Sequence, residues 1–265
     1  MTAETTQTSN SSTPSTEAAT RQREAVDKLL SRPASTSGGS ITLGGVRHDY
    51  TVTASFMPVA SAGLADAGVP AQAAVLTTAY LKKGATAADR PVCFAFNGGP
   101  GSASIWLHLG ALSPKQVVIG DDGHAPAPPY AVVDNPLSWF EHFDLVFIDP
   151  PHTGWSLACS DDDRKKMLSV DGDVDALTEV MRMWLSRHQR WGSPLYLAGE
   201  SYGTTRGAAL ADKLLSSGVS LAGLILVSCA MDLQTIVFSH GNDLDRKSTR
   251  LNSSHVSESR MPSSA

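Results

Sequence analysis

The pentapeptide Gly199-Glu200-Ser201-Tyr202-Gly203 is the first candidate for chemistry. It follows the apolar run Leu195–Ala198 and precedes a helical pattern over Thr204–Leu215. A serine between two glycines in such a strand-turn-helix setting is typical of a nucleophile elbow, a sharp turn that exposes the serine hydroxyl. An ordinary glycine-bounded loop is the alternative, and the setting favours the elbow. Ser201 is therefore a candidate nucleophile.

A second glycine-rich segment, Asn97-Gly98-Gly99-Pro100-Gly101, lies between the apolar run Val92–Phe96 and a helical pattern over Ser102–Ala111. Acyl transfer through a serine needs backbone N–H groups where the tetrahedral oxyanion forms, and glycine lets a substrate approach the backbone closely. Pro100 has no N–H and fixes its own φ, so it stiffens the loop. A Walker loop is excluded because no Lys-Ser or Lys-Thr pair follows. The segment is a candidate oxyanion loop.

The elements that must position these loops alternate between strands and helices. Amphipathic spacing predicts one helix over Asp171–His188 and another around Ala208–Leu215. Alternating runs at Tyr50–Phe56 and Ala73–Leu81 predict an antiparallel edge or hairpin. Compact apolar runs predict strands buried on both faces at Val92–Phe96, Leu145–Ile148, Leu195–Ala198 and Leu224–Val227. Strands that alternate with helices need crossover connections, so the predicted class is α/β with a mainly parallel sheet.

Composition limits the partners of the chain. Its 265 residues suffice for one large domain or two small ones, and 42% hydrophobic with 18% charged residues is typical of a globular protein. The 21 basic and 26 acidic residues give a net charge of −5 without a basic run, which argues against nucleic acid. The longest apolar stretch, Leu221–Ala230, is far shorter than the roughly 20 residues that span a bilayer. Neither nucleic acid nor membrane is expected as a partner.

The cysteines and the first residues of the chain bear on cofactor and compartment. Cys93, Cys159 and Cys229 are widely spaced and form no C-x-x-C pair, so they predict neither a disulfide framework nor a zinc site. No metal or organic cofactor is expected, because serine acyl transfer needs none. The first thirty residues have no apolar segment behind a basic one, which predicts no cleaved secretion signal and a cytoplasmic location.

Three segments differ in composition. Residues 1–40 are rich in Ser, Thr, Ala and Pro, which predicts a disordered polar tail with Gln22–Leu30 as a possible short helix. Residues 41–244 carry the strand and helix patterns. Residues 245–265 have no periodicity and look like an in-frame translation of two constant arms of a short-read sequencing adapter, in the right order. This last segment is therefore not expected to belong to the fold; a disordered polar tail is the alternative.

Three landmarks in order along the chain resemble the serine carboxypeptidase family. Phe96–Ser104 is similar to its oxyanion loop, Gly199–Gly203 to its nucleophile motif, and Asp144–Pro150 with Thr153–Ser156 to a third landmark between them. The resemblance covers roughly residues 41–244 and is strongest to the cytosolic-looking bacterial type without disulfides. It implies an α/β-hydrolase fold and an enzyme that removes residues from the C-termini of peptides.

The resemblance also implies roles for individual residues. Ser201 would be the nucleophile, and the backbone N–H groups of Gly99 and Tyr202 would form the oxyanion hole. The substrate's terminal carboxylate would be held by Asn97, the Gly98 N–H and the Glu200 side chain. A carboxyl and a carboxylate share a hydrogen bond only while one of them is protonated, so binding should favour acidic pH. This set of residues separates an exopeptidase from a plain esterase.

The sequence departs from the family in several places. His152 stands where the bacterial type usually has glycine, Ser102 replaces a disulfide cysteine of secreted members, and Ala95 stands where these often have Trp. The triad Asp and His should follow Ser201 by a long stretch of chain. Asp232 and His240 follow it too closely. Histidines before Ser201 are interpreted as surface or hydrogen-bonded residues.

Residues 41–244 are therefore expected to be the N-terminal part of an α/β-hydrolase domain, inactive without its acid and base. Two alternatives stay open. One is an esterase or acyltransferase on the same fold, and the other is a non-catalytic remnant that binds peptide C-termini. The sequence assigns neither an oligomeric state nor a side-chain preference.

Overall fold

A computed structural model describes residues 14–60, 70–120 and 122–231. The helices in these ranges are α1 (Pro14–Leu30), α2 (Ile105–Leu107), α3 (Asp161–Met167), α4 (Val170–Arg187) and α5 (Tyr202–Ser216). The strands are β1 (Ser35–Leu43), β2 (Val46–Val59), β3 (Ala73–Lys82), β4 (Val92–Phe96), β5 (Lys115–Val117), β6 (Val132–Asp134), β7 (Asp144–Ile148), β8 (Leu157–Ala158), β9 (Leu195–Glu200) and β10 (Gly223–Val227). The described ranges also contain a turn of π-helix at His108–Leu112 and a 3₁₀ turn at Trp139–Glu141.

The main sheet has the strand order β1-β2-β3-β7-β4-β9-β10, with β8 paired to β3. Strands β1, β2, β3 and β7 are antiparallel neighbours, whereas β7, β4, β9 and β10 are parallel. The strands predicted from the apolar and alternating runs are all present, and the predicted α/β class is confirmed. Parallel strands bring their carboxyl ends to one edge of the sheet. Both glycine-rich loops leave the sheet at this edge.

The core lies on both faces of the sheet, and β4 shows why its sequence is continuously apolar. Phe94 and Phe96 point into a cluster with α4 and α5. Cys93 and Ala95 point to the opposite face, where they pack with α2 and the 3₁₀ turn. Successive strand residues alternate between faces, so a strand covered twice needs apolar residues throughout.

Helix α4 matches its predicted pattern. Ser169 caps it by accepting a hydrogen bond from the Gly172 N–H at 3.1 Å. The five apolar positions that predicted the buried face are all buried: Val174, Leu177, Met181, Trp184 and Leu185. The helix therefore packs against the sheet with the face that the spacing indicated.

The prediction of a disordered tail over residues 1–40 is wrong for residues 14–40. Helix α1 places Val26 in full burial, and the Gln22 side chain donates to the Ala158 carbonyl at 2.9 Å. Strand β1 pairs with β2 along its whole length. The few apolar residues suffice because they cover an existing sheet, and a strand pairs through its backbone whatever its side chains are. Residues 1–13 lie outside the described ranges.

The helical pattern over Ser102–Ala111 gives a shorter helix than predicted. Helix α2 begins only at Ile105 and passes into the π-helical turn. The delay has a local cause, since the Ser104 N–H donates to Asp149 Oδ1 at 2.9 Å and the Leu107 N–H to Asn97 Oδ1 at 3.0 Å. Side chains that follow β4 and β7 thus accept hydrogen bonds from N–H groups at the start of the helix.

No helix in the described ranges is both long and apolar enough to cross a membrane. The segment 245–265, interpreted above as adapter-derived, lies outside these ranges, as do Asp232 and His240.

Candidate active site

Ser201 lies on the tight turn between β9 and α5 with φ 57° and ψ −124°, a backbone conformation that is strained for a residue with a Cβ. Hydrogen bonds hold the turn on both sides. The Ser201 N–H donates to the Val227 carbonyl at 3.0 Å, and the Ser201 carbonyl accepts from the Thr204 N–H at 2.9 Å. The geometry is that of a nucleophile elbow, in which the fold compensates for local strain.

The flanking glycines are required by close backbone packing. A Cβ at Gly199 would overlap the Gly203 carbonyl, and a Cβ at Gly203 would lie 2.8 Å from the Phe96 carbonyl oxygen. The first contact tightens the elbow, and the second presses α5 against the end of β4. The two loops identified in the sequence are therefore in direct contact.

The candidate oxyanion loop packs against the elbow at Gly98. A Cβ there would overlap the Tyr202 nitrogen and would lie 2.7 Å from the Glu200 carbonyl oxygen. Gly99 has φ 106°, which favours glycine. Within the described residues, the backbone N–H groups of Gly98, Gly99 and Tyr202 donate no hydrogen bond. The loop and the elbow thus offer unpaired donors, and Tyr202 adds the amino end of α5.

Asn97 and Glu200, predicted as carboxylate-binding residues, lie side by side. Asn97 Nδ2 donates to Glu200 Oε2 at 3.0 Å, while Asn97 Oδ1 accepts from the Leu107 N–H. An amide group has two donor hydrogens, so Asn97 keeps one for a ligand. The Asn97 side chain is buried, and Glu200 is partly exposed. The arrangement brings an amide donor and a carboxyl group to one place beside Ser201.

Asp149 and Ser104 support the loop from behind, a role that the sequence reasoning missed. Asp149 Oδ1 accepts from the Ser104 N–H, and Ser104 Oγ accepts from the Asn97 N–H at 3.3 Å. Burial raises the pKa of Asp149, and the N–H groups of Ser104 and Trp155 partly oppose this shift. The sequence did contain a sign of this role, since Asp149 directly follows β7 just as Asn97 directly follows β4.

Arg206 was also missed. Its side chain is 2% exposed and pairs with Asp173 of α4, with 2.7 Å between Nε and Oδ2. Burial raises the pKa of Asp173, and the charge of Arg206 acts against the shift. The sequence signal was a charged residue on the buried face of α5, because Arg206, Leu210 and Leu214 follow one another at four-residue spacing.

An apolar cavity of about 420 Å³ lies beside the loop. Ile105, Phe147 and the largely exposed Trp155 contribute to its walls, together with the partly buried His108 and Asp149. Burial lowers the pKa of His108 to about 4, so its ring is neutral near pH 7. The cavity adds an apolar surface next to the polar cluster.

The described histidines do not complete a triad. None of the six donates to or accepts from Ser201 in the part of the chain that the structure describes. His108 Nε2 lies 2.8 Å from the Tyr80 hydroxyl, and His124 and His142 are exposed. His152 does not fit its interpretation as a surface or hydrogen-bonded residue, because its Nε2 is buried and has no hydrogen-bond partner among the described residues. Its φ of 62° explains why glycine suits this position.

Comparisons with solved structures concern the fold. A prohormone-processing carboxypeptidase from Saccharomyces cerevisiae matches with a TM-score of 0.54 and 17% identity over 80% of this chain and 49% of that chain. This likeness confirms the α/β-hydrolase fold expected from the sequence. At this identity it shows the fold alone.

Comparisons of sequence concern the family. Serine carboxypeptidase-like 5 of Arabidopsis thaliana is 30% identical over 46% of this chain, and serine carboxypeptidase-like 13 is 26% identical over 61%. The chain spans 27% and 39% of the lengths of these two relatives. Both are plant proteins, whereas the motifs favoured a bacterial cytosolic type, and that finer assignment stays a prediction.

The profile of the family described as serine carboxypeptidase matches residues 79–241, which is more than half of the chain. The matched region contains all three landmarks, from the candidate oxyanion loop to the nucleophile elbow. The chain belongs to the serine carboxypeptidase family.

Proposed function

We propose that the protein carrying this chain is a serine-type carboxypeptidase that removes C-terminal residues from peptides through an acyl-enzyme on Ser201. The observation that carries the proposal is the Asn97 amide held 3.0 Å from the Glu200 carboxyl, beside unpaired backbone N–H groups. A terminal carboxylate needs N–H donors, and this cluster supplies them. Next to Glu200 it also needs one proton shared between the two carboxyl groups, so binding should favour acidic pH. A neutral ester has no terminal carboxylate and does not need this cluster.

The proposed reaction assigns a step to each group. Ser201 Oγ attacks the carbonyl carbon of the last peptide bond and gives its proton to a base. The N–H groups of Gly99 and Tyr202 stabilise the oxyanion, aided by the amino end of α5. The C–N bond breaks, the amine leaves with the proton, and water then hydrolyses the serine ester. Asn97, the Gly98 N–H and Glu200 hold the carboxylate throughout.

The base and its acid partner are proposed to lie outside the described residues, because no described histidine contacts Ser201. The predicted domain over residues 41–244, extended by α1 and β1, would then be the N-terminal part of the hydrolase domain, with 245–265 adapter-derived. The chain's share of its relatives' lengths supports this proposal. A long sequencing read of the source locus through the codon for Leu244 tests it. An open frame that supplies an Asp and then a His supports it, and genomic codons for residues 245–265 followed by a stop contradict it.

The compartment and type within the family belong to the same proposal. Cys93, Cys159 and Cys229 are all free thiols, and Ser102 occupies the position of a disulfide cysteine in secreted members. This cysteine usage supports a cytoplasmic enzyme of the bacterial type. Its proposed partners are the C-termini of peptides.

The test of the function compares substrates on the gene product with its native C-terminal sequence. We expect cleavage of an N-blocked dipeptide with a free carboxylate, faster at acidic pH, and no cleavage of its C-terminal amide. Glu200→Gln should remove most peptide hydrolysis yet spare a neutral ester, whereas Glu24→Gln, exposed on α1, should change neither. Peptides left intact between about pH 4 and pH 8 would contradict the proposal. Ester cleavage alone would favour an esterase, and binding without cleavage a non-catalytic remnant.

A further inference from the structure

Arg206 lies behind the candidate site and contacts three of the elements that form it. Its Nη1 donates to the Asn97 carbonyl oxygen at 2.6 Å, and its Nε to Asp173 Oδ2 at 2.7 Å. The guanidinium carbon lies 5.2 Å from the Tyr202 ring centroid and 5.6 Å from that of Phe96. One buried cation therefore contacts the end of β4, the start of α5 and helix α4.

The carbonyl that Arg206 binds belongs to the same peptide unit as the Gly98 N–H. This unit is trans, so its C=O and N–H point in opposite directions in one plane. A donor fixed on the carbonyl oxygen fixes the direction of the N–H. A cationic donor also polarises the unit, which strengthens the hydrogen bond that the N–H can donate.

We propose that Arg206 is a positioning residue for carboxylate recognition, because it holds and polarises the Asn97–Gly98 peptide unit and presents the Gly98 N–H to the substrate's terminal carboxylate. This inference rests on the proposed carboxypeptidase function. Arg206 itself touches no substrate. Asp173 has a share in the role, since it fixes the other edge of the guanidinium.

Tight packing around Gly98 limits how the Asn97–Gly98 peptide unit can move. Space for a Cβ is absent on the side of Tyr202 and Glu200, so the loop has little freedom to shift toward the elbow. Rotation of the peptide plane is the motion that remains, and the bond from Arg206 opposes it. A lysine at position 206 would keep the charge but could not bond Asp173 and the Asn97 carbonyl with a planar fork.

The chain offers a matched control at the other end of the sheet. Arg190 is also buried, pairs with Asp144, and donates to a backbone carbonyl, that of Arg90, at 2.7 Å. Arg190→Lys therefore removes the same kinds of contact at a distance from the site. A purely structural role of Arg206 predicts equal consequences for the two substitutions.

The experiment measures by calorimetry the affinities of N-acetyl-Phe-Leu and its C-terminal amide, in a Ser201→Ala background that prevents turnover. The readout is the preference for acid over amide. We expect Arg206→Lys to lower this preference by about tenfold, Asp173→Asn to lower it less, and Arg190→Lys to leave it unchanged. The Gly98 amide proton should shift upfield in the NMR spectrum of Arg206→Lys alone.

The outcomes separate the two proposals. If the Ser201→Ala chain with Arg206 intact prefers the acid and Arg206→Lys keeps that preference, the positioning role is wrong. Equal losses in Arg206→Lys and Arg190→Lys also overturn it. If the intact chain does not discriminate acid from amide, the carboxypeptidase proposal fails first, and the Gly98 shift still reports whether Arg206 holds the peptide unit. Should Arg206→Lys not fold, an unchanged preference in Asp173→Asn overturns the inference.

Discussion

Two buried arginine–aspartate networks lie at opposite ends of the parallel strands, and they differ in what they leave unpaired. At the amino ends, Asp144 accepts from Arg90 at 3.1 Å, from Arg190 and from the Lys82 N–H. Arg90 also donates to three backbone carbonyls of the segment before β7. At the carboxyl ends, one pair, Arg206 and Asp173, underlies a loop in which the N–H groups of Gly98 and Gly99 have no acceptor among the described residues.

The difference separates a closed end of the sheet from an open one. Asp144 accepts hydrogen bonds at both carboxylate oxygens, and Arg90 and Arg190 donate to groups within the protein. Each guanidinium nitrogen of Arg90 and Arg190 therefore has a hydrogen-bond partner within the protein. The carboxyl end keeps N–H donors free and holds Ser201 in a strained conformation. The network at the amino ends stabilises the fold, whereas the carboxyl ends hold the candidate site residues with unpaired N–H donors.

Asp144→Ala should have the largest effect on stability, because it leaves two buried guanidinium groups without their shared anion. We expect the free energy of unfolding to fall by about 4 kcal/mol, measured by urea denaturation. Asp49→Ala removes an exposed carboxylate 3.0 Å from Arg47, and it should cost under about 1 kcal/mol. Similar losses for the two variants would mean that the amino-end network does not secure the fold.

Gly199→Ala should damage the open end. The added methyl group would overlap the Gly203 carbonyl, so the elbow must shift. We expect a loss of about 3 kcal/mol in the free energy of unfolding and loss of calorimetric binding of N-acetyl-Phe-Leu. Gly192→Ala is the matched control, because a Cβ there meets nothing within 4 Å. Binding that survives Gly199→Ala would separate carboxylate recognition from the shape of the elbow.

The sequence predicted the strands and helices of the fold more completely than the residues that hold the site in place. Apolar runs located β4, β7 and β9, because a strand buried on both faces leaves a continuous signal. The run over Leu224–Val227 also located β10, but the predicted burial on both faces is wrong there, because Leu224 and Leu226 are each 41% exposed. Strand β1 gave no such signal. It pairs through backbone hydrogen bonds with β2, and its glycines and serines carry no pattern of burial.

For the site, the motif and its setting predicted the elbow at Ser201, and the family resemblance implied that Asn97 and Glu200 act together; the structure has both arrangements. They missed Arg206, Asp173 and Asp149, whose roles depend on partners far away in the chain. Contacts between residues more than thirty positions apart follow from topology, which local patterns do not contain. The charged residue on an apolar helix face was the one local sign of such a contact.

Acid should weaken the open end through His108. Burial lowers the pKa of this ring from 6.5 to about 4, so the unfolded chain binds a proton before the folded one does. Its contribution to stability is complete above pH 6.5 and is lost as pH falls toward 4. Between pH 7 and pH 5 we expect it to cost about 2 kcal/mol. In urea denaturation at both pH values, His108→Gln should lose less stability than the native sequence. His124→Gln, which changes an exposed ring, should lose as much as the native sequence, and equal pH dependence in all three would contradict the assignment.

The smallest effect concerns the strain at Ser201 itself. Ser201→Gly and Ser201→Ala both remove the hydroxyl and differ only in the Cβ, which is unfavourable at φ 57° and ψ −124°. We expect the glycine variant to be more stable by about 1 kcal/mol, since relief of strain exceeds the added entropy of the unfolded chain. At Ser186, which is exposed in helix α4, we expect the opposite order: the Ser186→Ala variant should be more stable than Ser186→Gly by a similar amount. Urea denaturation of the four variants measures both differences. If alanine is at least as stable as glycine at position 201, the elbow stores no strain, and the contrast between the two ends of the sheet is one of unpaired donors alone.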